Sequence, residues 1–316
     1  MTAQISPPRR LALIGILSAV GGSLVFSVND VTIKFLSGDY ALHELVLIRS
    51  SIGLMVMLCF ILPFQGGLPA LRTKRLGAHL LRALCVVASN LFYFLGLAAM
   101  PLADAVAVFF IAPLLITALS VPILGEKVGP RRWFAVGLGL AGVIVMLRPG
   151  GSTFHWVALL PVASALCYAC MHMLTRHMGM TEKAATMAFY VQLSFITVCL
   201  IMGLIVGDGH LANQSDPSLA FLFRGWSWPH HGDWPIFLAS GTASALGGFF
   251  IAQAYRLCEA GLVAPFEYVS MPMAIFWGAT VFDTWPDTTA WIGIALICGG
   301  GLYMLWREAV VRGEKH

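Results

Sequence analysis

The run LALIGILSAVGGSLVFSVNDVTIKFL, residues 11–36, decides the fold because it is long and apolar enough to cross a lipid bilayer. Near its end it carries an amide, a carboxylate and an ammonium, at Asn29, Asp30 and Lys34. Hydrocarbon holds no water to solvate such groups, so each needs a partner within the protein. The run lacks an A-x-A cleavage signal and therefore predicts a first membrane-spanning helix, not a removed signal peptide.

The composition of the whole chain supports a membrane protein. Of its 316 residues 59% are hydrophobic and only 11% are charged, and the mean hydropathy is +0.83. Soluble domains carry about 25% charged residues, so this chain cannot cover its surface for water. The net charge of +4 is spread over loops and indicates topology, not nucleic-acid binding. All seven cysteines fall in apolar runs, and no disulfide framework is predicted.

Breaking the chain at charged residues and at Gly/Pro clusters predicts ten spans, at about 20 apolar residues per span. They are roughly 11–36, 44–64, 77–99, 102–124, 133–148, 156–176, 184–207, 235–256, 262–282 and 289–306. Helices satisfy their own backbone groups in lipid. The predicted fold is an all-α polytopic membrane protein, with short tails at 1–10 and 307–316.

The lysines and arginines predict the orientation, because cytoplasmic loops are enriched in them. Only Lys34, Arg49, Arg148 and Arg224 fall on the side away from the amino terminus, against the other 15 of 19. We therefore predict that both termini are cytoplasmic, in the inner (plasma) membrane. The one long outer loop, 208–234, is rich in aromatic residues; it is either a segment at the membrane interface or a gating lid.

The two halves of the sequence resemble each other. FFIAPLLITALSVPIL (109–124) aligns with YVSMPMAIFWGATVFD (268–283), which places Pro113 on Pro272. WFAVGLGLAGVIVMLR (133–148) aligns with WIGIALICGGGLYMLW (291–306), and LVFSVNDVTIKFL (24–36) with LCYACMHMLTRHM (166–178). Each copy has five predicted spans, an odd number, so the second enters the membrane from the opposite side. Such inverted repeats place the substrate site of a secondary transporter near the midplane.

These motifs also carry a resemblance to a known family. The first helix ends in a lysine, and AYRLCEAGLVAPFEYVSMPMAIFWG (254–278) is followed by GGGLYMLWRE (299–308). From about residue 11 to 308 the chain resembles the EamA type of the drug/metabolite transporter superfamily. The resemblance implies ten helices in two repeats, 11–148 and 149–306, and a small organic solute. The second copy departs from the pattern at DTWPDTTAW, so the repeat is only approximate.

Polar residues within the spans form two layers around an aromatic middle. An outer gate is predicted from Asp30, Lys34 and Arg49, with Asp30 and Lys34 paired as i,i+4 neighbours. An inner gate or coupling layer is predicted from Arg82, His172, Arg176, Gln253, Arg256 and Glu267, with Glu267 facing Arg256. Between them we predict a substrate cavity formed by Asn90, Tyr93, Phe109, Phe110, Tyr168 and Tyr268, and hinges at Pro113 and Pro272. A purely structural role, locking helices together, remains the alternative for the gate residues.

The sequence predicts a secondary transporter that works by alternating access, driven by an ion gradient or by the solute gradient. It contains no G-x-S-x-G elbow, no H-E-x-x-H motif and no phosphate-binding loop, so we predict no catalytic residues, no metal site and no cofactor. A membrane channel or an integral-membrane enzyme is the alternative. Amino-acid-like, flavin and nucleoside-like cofactor solutes all remain open. The direction of transport, the coupling ion and the presence of a homodimer also remain open.

Overall fold

A computed structural model describes residues 9–124, 129–147, 156–178, 182–258, 263 and 266–313. In this part of the chain the regular structure is helical throughout and contains no strand. The all-α prediction is therefore confirmed for the described residues.

Twelve α-helices are bounded within that part. The first six are α1 Arg9–Leu36, α2 Leu42–Val56, α3 Leu76–Ala99, α4 Leu102–Phe109, α5 Ala112–Leu124 and α6 Pro130–Leu147. The second six are α7 Leu159–Met178, α8 Ala184–Val206, α9 Pro217–Phe223, α10 Trp234–Leu257, α11 Ser270–Val281 and α12 Thr288–Gly313. A π-helical turn, Met57–Ile61, extends α2. We call the two ends of the bundle the Arg9 end and the Leu36 end, after the first and last residues of α1.

Seven of these elements are long and apolar enough to cross a membrane. They are α1, α2 with its π-helical turn, α3, α4 together with α5, α7, α8 and α10. Shorter apolar helices lie within α6, α11 and α12. The exposed large side chains, such as Leu204 and Phe60, are those of a surface made for lipid.

The most extensive helix–helix contact joins α1 to α10 and so connects the two halves of the sequence. Glycines bring α2 against α10, because a Cβ on Gly241 would lie 2.8 Å from the carbonyl oxygen of Arg49. Small residues at helix contacts of this kind let the backbones approach closely in membrane proteins. The close approach fixes Arg49 beside α10.

Helices α6 and α12, the last helix of each predicted repeat, pack together within this chain. A Cβ on Gly142 would lie 2.9 Å from the carbonyl oxygen of Gly293, and one on Gly300 would lie 2.9 Å from that of Ala135. The sequence motifs GLGLAG (137–142) and CGGG (298–301) predict that these two helices make close contacts within or between subunits. In this structure they contact each other within one subunit.

Two helix breaks lie at matching places in the predicted repeats. The first separates α4 from α5 at Phe110 and Ile111, and the second is the turn at Tyr268 and Val269 before α11. Pro113 and Pro272 each lie in the first turn of the helix that follows, where a missing N–H costs little. Each proline thus follows a helix break by two or three residues, and the hinges predicted at Pro113 and Pro272 stay a prediction.

The segment between α8 and α10 covers the Leu36 end. The Arg224 guanidinium donates to the carbonyl oxygens of Ser37 and Tyr40, both at 2.9 Å, so it satisfies carbonyls after the end of α1. The Tyr40 hydroxyl donates to the Asp233 carboxylate at 2.6 Å. Phe221 of α9 is fully buried in the core, and Trp226 stacks on His43 of α2. This segment joins the end of α1 to the start of α2, and its contacts with the core make it a packed part of the helical bundle.

The α6–α12 contact can be tested with two alanine substitutions in one helix. Gly142→Ala places a methyl group against the backbone of α12, so we expect a loss of about 1–3 kcal/mol in the free energy of unfolding. Gly137→Ala has no atom within 4 Å of the new Cβ and should leave stability unchanged or slightly higher. Thermal unfolding in detergent measures both. Equal melting temperatures for the two variants would contradict the close packing.

Candidate functional site

A cavity of about 120 Å³ lies in the interior between six helices. Helices α1, α2, α3, α7, α8 and α10 each contribute to its wall. The lining consists of Phe26, Arg49, Arg82, Val86, Asn90, Tyr168, Met171, His172, Thr175, Ala188, Val191, Gln192, Phe195, Ser244, Gly248, Ile251, Ala252 and Tyr255. The wall is mostly apolar with a few polar groups, as in small-molecule sites. Both halves of the sequence take part in it.

Aromatic rings form a continuous row along one side of the cavity. Tyr93 contacts Phe109, and Phe109 contacts Tyr168, each with ring centroids 5.2 Å apart. The imidazole of His172 follows at 4.4 Å from Tyr168 and 4.0 Å from Tyr255. Edge-to-face and tilted contacts of this kind stabilise a rigid aromatic surface. Tyr168, His172 and Tyr255 form the part of the row that lines the cavity, and the rings behind them hold this part of the wall in place.

The six residues predicted to form the cavity occupy three positions. Asn90 and Tyr168 line it, while Tyr93 and Phe109 lie behind the lining in the aromatic row. Phe110 and Tyr268 are at the two helix breaks, where their rings pack 4.9 Å apart. The Tyr268 hydroxyl also donates to the carbonyl oxygen of Phe110 at 3.5 Å. The last pair therefore joins the breaks and is absent from the cavity lining.

Arg49 is the most deeply buried charged side chain among the described residues, with only 2% of its surface exposed. Its Nη1 donates to Asn29 Oδ1 at 3.1 Å. The guanidinium carbon lies 5.2 Å from the Phe94 ring centroid and 5.1 Å from that of Phe195. Cation–π contacts of this kind are worth about 2 kcal/mol when desolvated. Two rings and one amide therefore hold the cation in place.

Asp30 lies beside this group with two hydrogen bonds of its own. Its carboxylate accepts from the Tyr93 hydroxyl at 3.0 Å and from Asn29 Nδ2 at 3.3 Å. Asn29 thus contacts both Asp30 and Arg49, so the two opposite charges share one amide. Asp30 and Arg49, predicted to form one gate, belong to one hydrogen-bonded cluster that reaches the cavity through Arg49.

Lys34 has different partners from those predicted. Its ammonium donates to the carbonyl oxygens of Leu97 at 2.9 Å and Met100 at 2.8 Å, at the end of α3, and lies 5.4 Å from the Phe282 ring centroid. The last carbonyls of a helix lack partners within the helix and attract cations. The predicted Asp30–Lys34 pair is therefore wrong in this structure, because each residue has nearer partners on α3.

Glu267 lies toward the Arg9 end and connects to the cavity through two tyrosines. Its carboxylate accepts from the hydroxyls of Tyr255 and Tyr168, the latter at 3.3 Å. Both tyrosines line the cavity. The Arg256 guanidinium donates to Gln253 Oε1 at 3.4 Å, so the predicted pairing of Glu267 with Arg256 is also wrong here. Two phenols close to the carboxylate satisfy it without a cation.

Only some of the other residues predicted for the inner gate line the cavity. Arg82 lines the cavity and donates through Nε to Thr175 Oγ1 at 2.9 Å. His172 lines it as well, whereas Gln253 and Arg256 are not among its lining residues. The side chain of Arg176 lies outside the described part of the chain. The inner layer is therefore brought together around Arg82, His172 and Glu267.

Sequence reasoning missed several lining residues. Gln192 is an amide within the apolar run of α8, and its Nε2 donates to Ser244 Oγ at 3.1 Å. A lone amide in a span is a signal that could have found it. Phe26 and Phe195 gave no such signal, because an apolar ring in an apolar run is indistinguishable from a lipid-facing one. Only packing assigns them to the cavity.

Comparison with known proteins identifies similar chains over nearly the whole length. Residues 13–148 match the EamA-like transporter family. The chain is 30% identical to a protein named riboflavin transporter of Rhizobium johnstonii, over 96% of this chain and 94% of that one. It is 27% identical to a riboflavin transporter of Vibrio cholerae over 90% of each chain. It is 25% identical to an S-adenosylmethionine uptake transporter of Rickettsia prowazekii over 92% of each chain.

A solved crystal structure has the same fold. It superposes with a TM-score of 0.66 over 93% of this chain and 95% of its own, at 20% sequence identity. At this identity the likeness concerns the arrangement of the helices alone.

The partners of Lys34 predict how two variants combine. Lys34→Met removes the cation from the end of α3 and should lower the melting temperature by several degrees, since a buried carbonyl left without a partner costs about 1–3 kcal/mol. Asp30→Asn added to Lys34→Met should restore none of this loss, because the two side chains bind different groups. Thermal unfolding of the single and double variants measures the coupling. Recovery of the wild-type melting temperature in the double variant would contradict this prediction and show that Asp30 and Lys34 pair with each other.

Proposed function

Because the chain belongs to the EamA-like transporter family of the drug/metabolite transporter superfamily, we propose that it carries a flavin-like metabolite across the membrane by alternating access. The observation that carries this proposal is the interior cavity, which both halves of the sequence line with aromatic and hydrogen-bonding side chains. A secondary transporter needs such a site between two parts that can move relative to each other. The solute gradient or an ion gradient drives the cycle.

The proposed architecture is ten spans in two inverted repeats, 11–148 and 149–306, with tails at 1–10 and 307–316. Three features support it. Seven long and three shorter apolar helices account for ten crossings. The helix breaks at 110–111 and 268–269 lie within one residue of matching positions in the sequence repeat and pack on each other. The last helices of the two repeats, α6 and α12, also pack together.

The proposed orientation places both termini in the cytoplasm and the chain in the inner membrane. The excess of lysine and arginine on the side of the Arg9 end supports it. The Leu36 end, covered by the segment before α10, then faces outward. The cavity lies between the two ends, as alternating access requires.

We propose that the two polar clusters beside the cavity act as its gates. One is Asn29, Asp30, Arg49 and Tyr93 toward the Leu36 end. The other is Arg82, Tyr168, Tyr255 and Glu267 toward the Arg9 end. Hydrogen bonds join Arg49 to Asn29 and Tyr93 to Asp30 in the first cluster, and Tyr168 and Tyr255 to Glu267 in the second. Because the bonded side chains come from separate segments of the chain, each cluster can separate when the helices move. The breaks before Pro113 and Pro272 supply the places where that movement bends the chain.

The chemistry of this wall suits a flavin better than the other solutes, and the cavity of about 120 Å³ has to widen to admit one. The flat flavin ring can pack against Tyr168, His172 and Tyr255, the three members of the aromatic row that line the cavity. S-adenosylmethionine carries a sulfonium cation, and the described lining includes two arginines but no Asp or Glu. A cation next to buried guanidinium groups is repelled. The wall therefore favours a neutral or anionic ring system.

The proposal predicts riboflavin uptake. Cells that depend on external riboflavin and express the chain should accumulate radiolabelled riboflavin with saturable kinetics, and unlabelled S-adenosylmethionine should compete poorly. Mass analysis of the accumulated solute should return unmodified riboflavin. A chemically altered product would indicate an enzyme, and uptake that does not saturate would indicate a channel. Uptake equal to that of cells with an empty vector would reject riboflavin as the solute.

Glu267 is proposed to couple transport to a proton gradient. Glu267→Gln keeps the shape but removes the ionisable group that accepts from Tyr168 and Tyr255. In vesicles we expect the variant to lose accumulation against a gradient, by about tenfold or more, because it cannot carry a proton. Exchange of labelled for unlabelled riboflavin should continue, since exchange needs no net proton movement. Unchanged accumulation at every pH would show that Glu267 is not the coupling group.

A further inference from the structure

Three side chains that line the cavity hold hydrogen-bonding atoms with no partner among the described residues. They are Arg49 at Nε and Nη2, Gln192 at Oε1 and His172 at Nε2. The exposed fractions of these residues are 2%, 4% and 3%. Buried polar groups in folded proteins are nearly always hydrogen-bonded, and an exception requires an explanation. All three belong to side chains that line one cavity, and a solute bound there would supply the missing partners.

The unpartnered atoms of Arg49 have a definite geometry. Nη1 donates to Asn29 Oδ1, and the rings of Phe94 and Phe195 lie close to the guanidinium. The edge that remains is formed by Nε and Nη2, whose N–H bonds run parallel. This edge is the fork with which arginine binds two acceptors that lie side by side in a plane. Because the other contacts fix the guanidinium, the fork is preorganised for its partner.

Gln192 is fixed in a complementary way. Its Nε2 is used by Ser244, which leaves Oε1 as an acceptor. The neighbouring wall thus offers two parallel donors at Arg49 and an acceptor at Gln192. A solute that satisfies both must carry two adjacent acceptors and, elsewhere on its rim, an N–H donor.

Building on the proposed flavin transport, we propose that Arg49 recognises the solute by a pair of adjacent in-plane acceptors and that Gln192 accepts from a ring N–H. In a flavin the acceptor pair is ring N5 with the C4 carbonyl oxygen, and the donor is N3–H. Arginine reads the O6/N7 edge of guanine in the same manner. A carboxylate also presents two adjacent acceptors, so the test has to distinguish the two sources.

The test uses analogues that change one atom of the ring. In 5-deazariboflavin a C–H replaces N5, so one acceptor is lost while the size of the ring is kept. We expect the analogue to compete about tenfold or more weakly than riboflavin for binding of radiolabelled riboflavin to the purified protein, since a hydrogen bond to a charged donor is lost. N3-methylriboflavin should also compete more weakly, because it cannot donate to Gln192.

Variants assign the effect to Arg49. Arg49→Lys keeps the charge but has no fork, so riboflavin should bind about tenfold more weakly and the preference over the 5-deaza analogue should fall close to one. Arg72→Lys, at an exposed position, is the matched control and should keep both the affinity and the preference. Melting temperatures identify variants that fail to fold. If Arg49→Lys does not fold, the wild-type preference for riboflavin over the 5-deaza analogue still decides.

The outcomes separate this inference from the proposed function. Equal binding of riboflavin and 5-deazariboflavin by the wild-type protein overturns the role of Arg49 and leaves flavin transport standing. Absence of riboflavin binding overturns both. If S-adenosylmethionine competes strongly in the wild type and loses its affinity in Arg49→Lys, the acceptor pair is a carboxylate and the flavin assignment is overturned.

Discussion

The guanidinium of Arg49 lies in the interior of an apolar bundle, and much of the surrounding structure serves to hold it there. Four other helices supply what a bilayer cannot. Helix α1 brings the amide of Asn29, α3 and α8 bring the rings of Phe94 and Phe195, and α10 packs a glycine against the backbone at residue 49. An isolated ion in hydrocarbon costs several kcal/mol. The four helices that stabilise the guanidinium also line the cavity. The burial of Arg49 and the shape of the cavity therefore depend on the same helix contacts.

The two helix breaks solve a second problem in the same environment. A break in a spanning helix exposes backbone carbonyls that lipid cannot satisfy. Here the phenol of Tyr268, at one break, donates to the carbonyl of Phe110 at the other. Each break therefore lies against protein and not lipid, and the two discontinuous spans support each other. Gly301 makes room for that phenol, since any side chain there would collide with Tyr268.

Hydropathy predicted the helical elements well because the length of an apolar run can be read from consecutive residues, without knowledge of how the helices pack. The predicted run 102–124, for instance, corresponds to α4 and α5 together, and only the break inside it was missed. The partners of charged residues were predicted less well. Asp30 and Lys34 are neighbours on one helix, but Lys34 reaches carbonyls more than sixty positions away in the chain. Spacing within a helix cannot reveal the end of another helix. Gln192 was missed for the related reason that its role depends on Ser244 and on the cavity.

The contact between α1 and α10 has a consequence for biogenesis. Helix α1 is made before the other described helices, and its most extensive partner, α10, begins more than two hundred residues after the start of α1. The carbonyls after its end bind Arg224, which is also made late. Contacts this distant in sequence form slowly. During synthesis α1 therefore waits in the membrane with Asn29 and Asp30 incompletely enclosed. In that interval α2 and α3, which carry Arg49 and Tyr93, are the neighbours that can shield them. The partners that satisfy Asn29 and Asp30 in the finished fold are thus made well before α10, which completes the wall around them.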